Sequence, residues 1–480
     1  MFPLFVGSLV LLAPAQASTP LSLDAALGEA LLRNPDLEGA RLSVSQSELT
    51  LEGVRALSEP SLTASTQYSN AESAGFIAGS PYSANSTALR NELSVGGRAA
   101  TGTSWSIYGG LDLDDTATVS SFGGQSGEML QTNWSADAGV QLSQDLLAPF
   151  RRTPELQQKA DALESLSQAE LKREQSQQAV LADVAEAWWT WSMSAQRVSV
   201  AQDSVESARR LEELTLAWKV EGTASEVDAA RVQISRLQAD KALLTAQRAS
   251  RSSADQLLLL IGHTPGEDIR PEGKGELRAS PEQLGVDQMM AENLDLALLD
   301  LQLEAAKRRL EDAENGRLPS LNLSAGAGVA SLQDTSNEAL AALVGDERLP
   351  TLSAGLELQV PLGNQAAKNQ VNASQVSARQ TELLRESAER QVRAQLRAGV
   401  DQVETARSAL EIAQAQVVLA RLSEAGEEAR LAEGTRRLDE LLDARDARRG
   451  AEVELLEAQL DLARAQLNLA ELSGHVDSVL

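Results

Sequence analysis

Asn34-Pro35-Asp36-Leu37, followed by Pro60-Ser61-Leu62, returns in altered form as Asn293-Leu294-Asp295-Leu296, followed by Pro319-Ser320-Leu321. The Asn-to-Pro spacing is 26 in both copies, and the copies are offset by 259. Farther along, Ala138-Gly139-Val140-Gln141-Leu142 matches Ala354-Gly355-Leu356-Glu357-Leu358 at an offset of 216. Glu221-Gly222-Thr223 then matches Glu433-Gly434-Thr435 at an offset of 212. Gly222 to Gly262 and Gly434 to Gly474 both span 40. Matches that keep one order along the chain mark a tandem duplication. The repeats are read as 18–262 and 281–474, joined by a Gly/Pro-rich linker at 263–280 and followed by a short tail, 475–480. The fall in offset from 259 to 216 places 43 extra residues in the first repeat, between positions 66 and 133.

Each repeat reads helix, strand, strand, long helix, helix. The first helix of each ends at a proline, Pro60 or Pro319, which cannot continue the hydrogen-bond ladder. Apolar and polar residues then alternate over about 61–69 and 134–143, and again over about 320–329 and 352–360. Leu321, Leu323, Ala325, Ala327 and Val329, for example, oppose Asn322, Ser324, Gly326 and Gly328. Period two places the two sets on opposite faces of a sheet. Runs of about nine residues suit tilted strands crossing a bilayer, with apolar residues toward lipid and polar ones toward a wet lumen. A soluble two-faced sheet packed on helices meets the same alternation. Residues 71–133, rich in Gly, Ser, Asn and Thr, are expected as an enlarged surface loop, with 89–111 either a hairpin within it or further membrane strand.

After the strands the spacing changes to three and four. Leu456, Leu460, Ala463, Leu467 and Ala470 form one such seam, and Val198, Ala201, Val205 and Ala208 another. These are coiled-coil seams with small knobs. No proline interrupts 155–219 or 362–431, so each segment is expected as one helix roughly 100 Å long. The shorter helices of each repeat fit end to end beside the long one.

Composition narrows the function. Forty-two Lys and Arg against 69 Asp and Glu leave a formal charge of −27, which argues against nucleic acid as a partner. Without cysteine, and with only His263 and His475 as histidines, the chain has no thiolate zinc site, disulfide or histidine metal cluster. No nucleophile–base pair or phosphate loop suggests an enzyme or a cofactor. The apolar segment from Met1 to Ala13, with Ala15-Gln16-Ala17 after it, reads as a signal peptide at 1–17, although its start lacks Lys or Arg; a buried N-terminal strand is the alternative. Past residue 17, no run approaches the ~18 apolar residues of a spanning helix. Four strands cannot close a membrane barrel, whose smallest form has eight. Several chains must combine, and three would supply twelve strands.

This arrangement resembles the TolC-like outer-membrane efflux proteins over nearly the whole mature chain. The strongest local likeness is the run from Leu431 to Ala444, Leu-Ala-Glu-Gly-Thr-Arg-Arg-Leu-Asp-Glu-Leu-Leu-Asp-Ala, which is similar to the family's periplasmic tip segment. Asn34-Pro35-Asp36-Leu37 and Gln144-Asp145-Leu146-Leu147 are further likenesses. The resemblance implies a mostly α protein with a membrane β-barrel: a trimeric α-barrel/β-barrel channel-tunnel built from the duplicated repeat. The channel would sit in outer-membrane lipid with a periplasmic extension. It would serve an inner-membrane pump of RND or ABC type through a periplasmic adaptor. Arg436 falls on the family's gating arginine, Glu440 and Asp443 on its tip carboxylates, and Asp228 on the matching acid of the first repeat. Gly222, Thr223, Gly434 and Thr435 fall at the hairpin turns that would meet the adaptor. Leu431 stands where the family has an aromatic, so a tyrosine link in the closed gate is missing. Glu440 is longer than the family's Asp, and Ala230-Arg231 comes two residues early.

Plain readings stand beside these. Glu440 and Asp443, three apart, share one helix face, which is a solvated face if no partner copies meet there. Any αα-hairpin needs a turn glycine. Trp188, Trp189 and Trp191 read as packing, and His263 and His475 as cap or loop residues. A secreted coiled-coil scaffold is the competing function.

Overall fold

The computed structural model describes residues 19–77, 80–99, 101–122, 125–147, 153–273, 275, 278, 285–432 and 438–480. The expected signal peptide lies outside them. The chain divides into two compact units. One comprises 19–44, 168–300 and 383–480 and is mainly helical; the other comprises 45–167 and 301–382 and holds the large sheet.

In chain order the elements are β1 (Thr19–Leu21), α1 (Leu23–Arg33), α2 (Pro35–Ala56), β2 (Ser61–Ile77), β3 (Ser80–Arg98), β4 (Thr103–Phe122), β5 (Gln125–Asp145), α3 (Pro154–Val220) and α4 (Glu226–Leu260). After β6 (Ile269–Pro271) come α5 (Val286–Ala291), α6 (Leu294–Asn315), β7 (Ser320–Gln333), α7 (Ser336–Ala342), β8 (Leu349–Gln359), α8 (Gln365–Ala432), α9 (Leu438–Ser473) and α10 (Val476–Val479). At ~1.5 Å per residue the 67 residues of α3 and the 68 of α8 each span about 100 Å.

Asparagines open the matching helices of the two repeats. The Asn34 carboxamide oxygen accepts from the backbone N–H groups of Asp36 at 2.9 Å and Leu37 at 3.2 Å. Asn293 accepts likewise from Leu296 at 2.9 Å. These are N-caps, and Pro35 occupies the first helical position, where a missing N–H costs nothing. The same side chains reach the preceding return helix: Asn34 donates to the Leu260 carbonyl and Asn293 to the Leu472 carbonyl. Thus the end of α4 meets the start of α2, and the end of α9 meets the start of α6, the end-to-end stacking that the helix lengths require. Gly262 and Gly474 turn the chain there at φ of +78° and +75°. His263 and His475 follow, each against a carboxylate, Glu29 at 2.6 Å and Glu292 at 2.5 Å.

The helical unit is cored by Trp188, Trp189 and Trp191 of α3, all 2% exposed or less. Two of the indole N–H groups find backbone carbonyls inside this core: Trp188 donates to Leu21 at 3.1 Å and Trp189 to Gly275 at 2.8 Å. The tryptophans therefore fasten the short parallel pair β1–β6 to the long helix. Residues 475–480, expected as a tail, instead contain α10 and bury Val476, Val479 and Leu480 in the same core. Apolar side chains at the very end of the chain have that core to fill.

The sheet unit differs from expectation in one respect. The described residues of 71–133 are not a loop but mostly strand, and among the described residues the sheet has six strands in the order β2-β3-β4-β5-β7-β8. Every neighbouring pair is antiparallel. Small Ser, Thr, Asn and Gly residues blur the alternation in this stretch, but they do not prevent pairing. The four expected runs lie within β2, β5, β7 and β8, apart from Val360, one residue past the end of β8.

Candidate functional site

The register aligns the apolar sets of all six strands on one face. One row runs Leu62, Val95, Ile107, Val140, Ala327, Leu352, each residue directly opposite the next. Another runs Ala64, Leu93, Gly109, Ala138, Val329, Pro350. Most of the large members stand open: Leu62, Leu93, Ile107, Leu142, Leu352, Leu356 and Leu358 are all exposed. A contiguous exposed apolar face of this size marks a surface that meets something other than water. Trp105 lies at one end of the band, opposite Leu142, and Trp134 at the other, opposite Leu113. Aromatic residues thus flank the apolar band at both ends, a placement that is also seen in the interfacial girdles of membrane strands. Beyond Tyr68 and Trp134 the same face turns polar, with Asn70, Thr87, Asp115 and Thr132, so the hairpins continue past the apolar band. Near that end α7 packs on β5 and β7, burying Ala136, and Ser331 Oγ donates to the Ala339 carbonyl at 2.6 Å.

The opposite face is polar. Glu92, Asp112, Asp137 and Glu357 lie there among Ser, Thr and Gln, since their apolar neighbours in sequence point the other way. Gly139 lets the Tyr108 ring lie across the sheet, because a Cβ at that position would sit 2.8 Å from the phenolic oxygen. At the sheet's α3 end, Arg98 pairs with Glu155 in the first turn of α3 at 3.1 Å. Burial opposes the Glu155 charge, but its backbone hydrogen bond and Arg98 outweigh it and hold the carboxyl below its ordinary range. A cavity of about 530 Å³, lined by Arg98, Ser143, Asp145, Asn322 and Glu357 among others, opens beside this pair.

The α3–α4 turn and the start of α9 form the second candidate region. Gly222 adopts φ +76° in the turn, and Thr223 Oγ1 donates to the Trp218 carbonyl at 3.0 Å. Both residues are exposed. Asp228 belongs to a capping box with Ser225: Ser225 Oγ accepts from the Asp228 N–H at 3.1 Å, and the Asp228 carboxylate accepts from the Ser225 N–H at 3.1 Å. Glu440 is half-buried and Asp443 exposed on α9. Leu438 and Leu441 beside them pack on Leu211 of α3 and Val232 of α4. Gly434, Thr435 and Arg436 lie outside the described residues.

The structure adds ion pairs that local sequence reading did not single out. Arg231 of α4 meets Asp439 of α9 at 3.3 Å. Arg445 and Arg448 of α9 reach Glu424 of α8, with further bonds from Arg445 to Glu428 at 2.6 Å and from Arg448 to Glu452 at 2.8 Å. Burial works against the Arg448 charge, but Glu424 and Glu452 outweigh it and hold the guanidinium above its ordinary range. The i, i+3 and i+4 spacing of Arg445, Arg448, Arg449 and Glu452 was the available signal. Among the described residues, no helix is long and apolar enough to cross a membrane.

The sequence profile of the outer membrane efflux protein family matches residues 111–263 and 285–475. The chain belongs to the outer membrane efflux protein family. Its place is therefore the outer membrane, and its family is one of transporters and not of enzymes. The match begins at Leu111, so β2 and β3 precede it. Outer membrane protein TolC of Salmonella enteritidis is 25% identical over 328 residues, 67% of this chain. That alignment spans 65% of the relative, a little under two thirds of its length. Among solved structures, the open-state MtrE outer membrane channel of Neisseria gonorrhoeae superposes with a TM-score of 0.66 at 16% identity, covering 95% of this chain and 90% of that one. The outer membrane protein VceC of Vibrio cholerae gives a TM-score of 0.66 at 13% identity, covering 94% and 96%. At those identities the likeness is one of fold.

Proposed function

We propose that this efflux-family chain is one protomer of a homotrimeric channel-tunnel. It passively conducts substrates from a periplasmic adaptor and an inner-membrane pump, of RND or ABC type, to the cell exterior. The observation that carries this reading is the sheet with one largely apolar and mostly exposed face, covered by α7 only near Ala136, and one polar face. Such a sheet is costly in water, and its open edges are costly in lipid. Closure with other copies removes both costs and leaves a polar lumen. A coiled-coil scaffold would have no use for this face.

Gating is assigned to the helical tip, where Arg436, Glu440, Asp443 and Asp228, repeated about a three-fold axis, would form charged rings favouring cations. Asp228 serves there mainly as a cap that fixes the start of α4. Gly222 and Thr223, with Gly434 and Thr435, are assigned to adaptor docking.

Fractionation with unheated and heated electrophoresis tests the reading. A heat-modifiable trimer in the outer membrane, with ion conductance in planar bilayers, is the expected result. A soluble monomer overturns it. For docking, Gly222→Trp should abolish capture by the adaptor while trimers persist, and normal capture would remove the docking assignment.

A further inference from the structure

We propose that each protomer contributes six strands, not four, to the outer-membrane wall. Three copies then close an eighteen-stranded barrel in which β2 of one copy pairs antiparallel with β8 of the next. This rests on the trimeric channel reading above and adds to it the size of the wall and its seam.

The first support is that β3 and β4 carry the membrane pattern themselves. Leu89, Leu93 and Val95 of β3, and Trp105, Ile107, Leu111 and Leu113 of β4, fall on the apolar face in register with β2 and β5. A hairpin lying outside the membrane would have no reason to keep that face apolar. The second support is that the hairpin runs the full height of the band. The turn between β3 and β4 lies at the end of the sheet where α3 begins. Arg98 meets Glu155 there, Thr103 Oγ1 bonds to the Gln144 side chain, and the Asp145 N–H donates to the Gly102 carbonyl at 3.5 Å. Trp105, at that end of the apolar band, is itself a β4 residue.

The edges supply the third support. In the described residues β2 and β8 each pair on one side only. Six strands are fewer than the eight of the smallest membrane barrel, so one copy cannot close on itself. Unpaired N–H and C=O groups facing lipid are strongly disfavoured, because no water is there to bond them. With an even number of alternating strands, β2 and β8 run in opposite directions, so a copy-to-copy seam is antiparallel like every other pair. Inserting one hairpin preserves that parity, which is why a four-strand plan can grow to six without losing closure. Phase also agrees. The apolar residues are even-numbered on both edges, Leu62, Ala64 and Tyr68 on β2 and Leu352, Ala354, Leu356 and Leu358 on β8, so even positions must face even positions across the seam. Because barrel diameter grows roughly linearly with strand number, eighteen strands make a wall about half as wide again as twelve.

The cysteine-free chain permits a direct test. Single substitutions Ser106→Cys, Ile107→Cys, Leu111→Cys and Asp112→Cys are made in the full-length protein in proteoliposomes and treated with a water-soluble maleimide. Ser106→Cys and Asp112→Cys should label freely from the lumen. Ile107→Cys and Leu111→Cys should label about tenfold more slowly, since a thiol against lipid is held un-ionised. Electron cryomicroscopy of the same protein then counts copies and strands. Three copies and eighteen strands establish the proposal. Three copies around twelve strands, with all four thiols labelling alike, overturn it and leave the channel reading standing. Two copies around twelve strands overturn the trimer and the eighteen-stranded wall together. A soluble monomer overturns the channel reading itself.

Discussion

The Asn34 side-chain amide donates to the Leu260 carbonyl at 2.9 Å, while its oxygen caps the helix that starts at Pro35. One side chain thus ends one helix and begins another, and Asn293 repeats the arrangement with Leu472 at 2.7 Å. Both asparagines are 4% exposed, so neither orphaned carbonyl would readily find water. Asn34→Ala should therefore lose the cap, typically ~1 kcal/mol, plus part of the cost of a buried unpaired carbonyl, about 1–3 kcal/mol. Asn34→Asp keeps the acceptor but sets a carboxylate against the Leu260 carbonyl, so it should fall nearer the alanine variant than wild type. Thermal unfolding of both variants checks this; a wild-type midpoint for the aspartate variant would assign the stability to capping alone.

Three turn glycines rank by what surrounds them. All adopt a left-handed conformation, which costs an L-residue roughly 1–2 kcal/mol. A Cβ at Gly222 would meet nothing within 4 Å, whereas one at Gly262 would lie 2.9 Å from the Arg33 carbonyl and one at Gly474 2.7 Å from the Glu292 carbonyl. Gly222→Ala should cost only the backbone strain, and Gly262→Ala and Gly474→Ala clearly more. Equal unfolding midpoints for the three variants would show that the two corners adjust freely.

The sequence announced features that are local and periodic. The duplication, the proline-free spans of α3 and α8, and strands such as Leu321 to Val329 all declare themselves within a few residues of one another. The hairpin β3–β4 was legible only as one of two alternatives for 89–111, because Asn91 and Gly109 interrupt its apolar face and only pairing with Thr66 and Ala138 reveals the row to which they belong. The same holds at the tip. The carboxylates of α9 were legible from their spacing, but the Arg231–Asp439 pair joins positions on separate helices, and no local period reports such a contact.

Glu471 makes a pH-dependent prediction. Burial first, then the charges of Asp183, Asp295 and Glu186, raise its pKa above 4.5. Folding thus favours the protonated acid, so its contribution to stability is fully present below the ordinary carboxyl value and is lost as pH rises through the folded value. Glu471→Gln should raise the unfolding midpoint at pH 7, and the gain should vanish at about pH 4. Solvent screening keeps the gain small and reduces it further in high salt. A variant less stable than wild type at pH 7 would mean that the Glu471 charge has a favourable partner.

Leu438 and Leu441 seat the start of α9 on α3 and α4, and Arg231–Asp439 ties α9 to α4 at its first turn. If charged rings hold the tunnel shut, removing one ion pair per protomer releases up to ~1 kcal/mol, and three copies release up to about 3 kcal/mol, roughly 100-fold in the open-to-closed ratio. Arg231→Ala, Arg436→Ala and Glu440→Ala should each raise single-channel conductance in planar bilayers and admit large antibiotics to intact cells. Asp228→Ala should behave differently, because its carboxylate caps α4: it should lower thermal stability by about 1 kcal/mol before it alters conductance. Wild-type conductance and antibiotic permeability in both Arg436→Ala and Glu440→Ala would reduce the tip carboxylates to a solvated helix face.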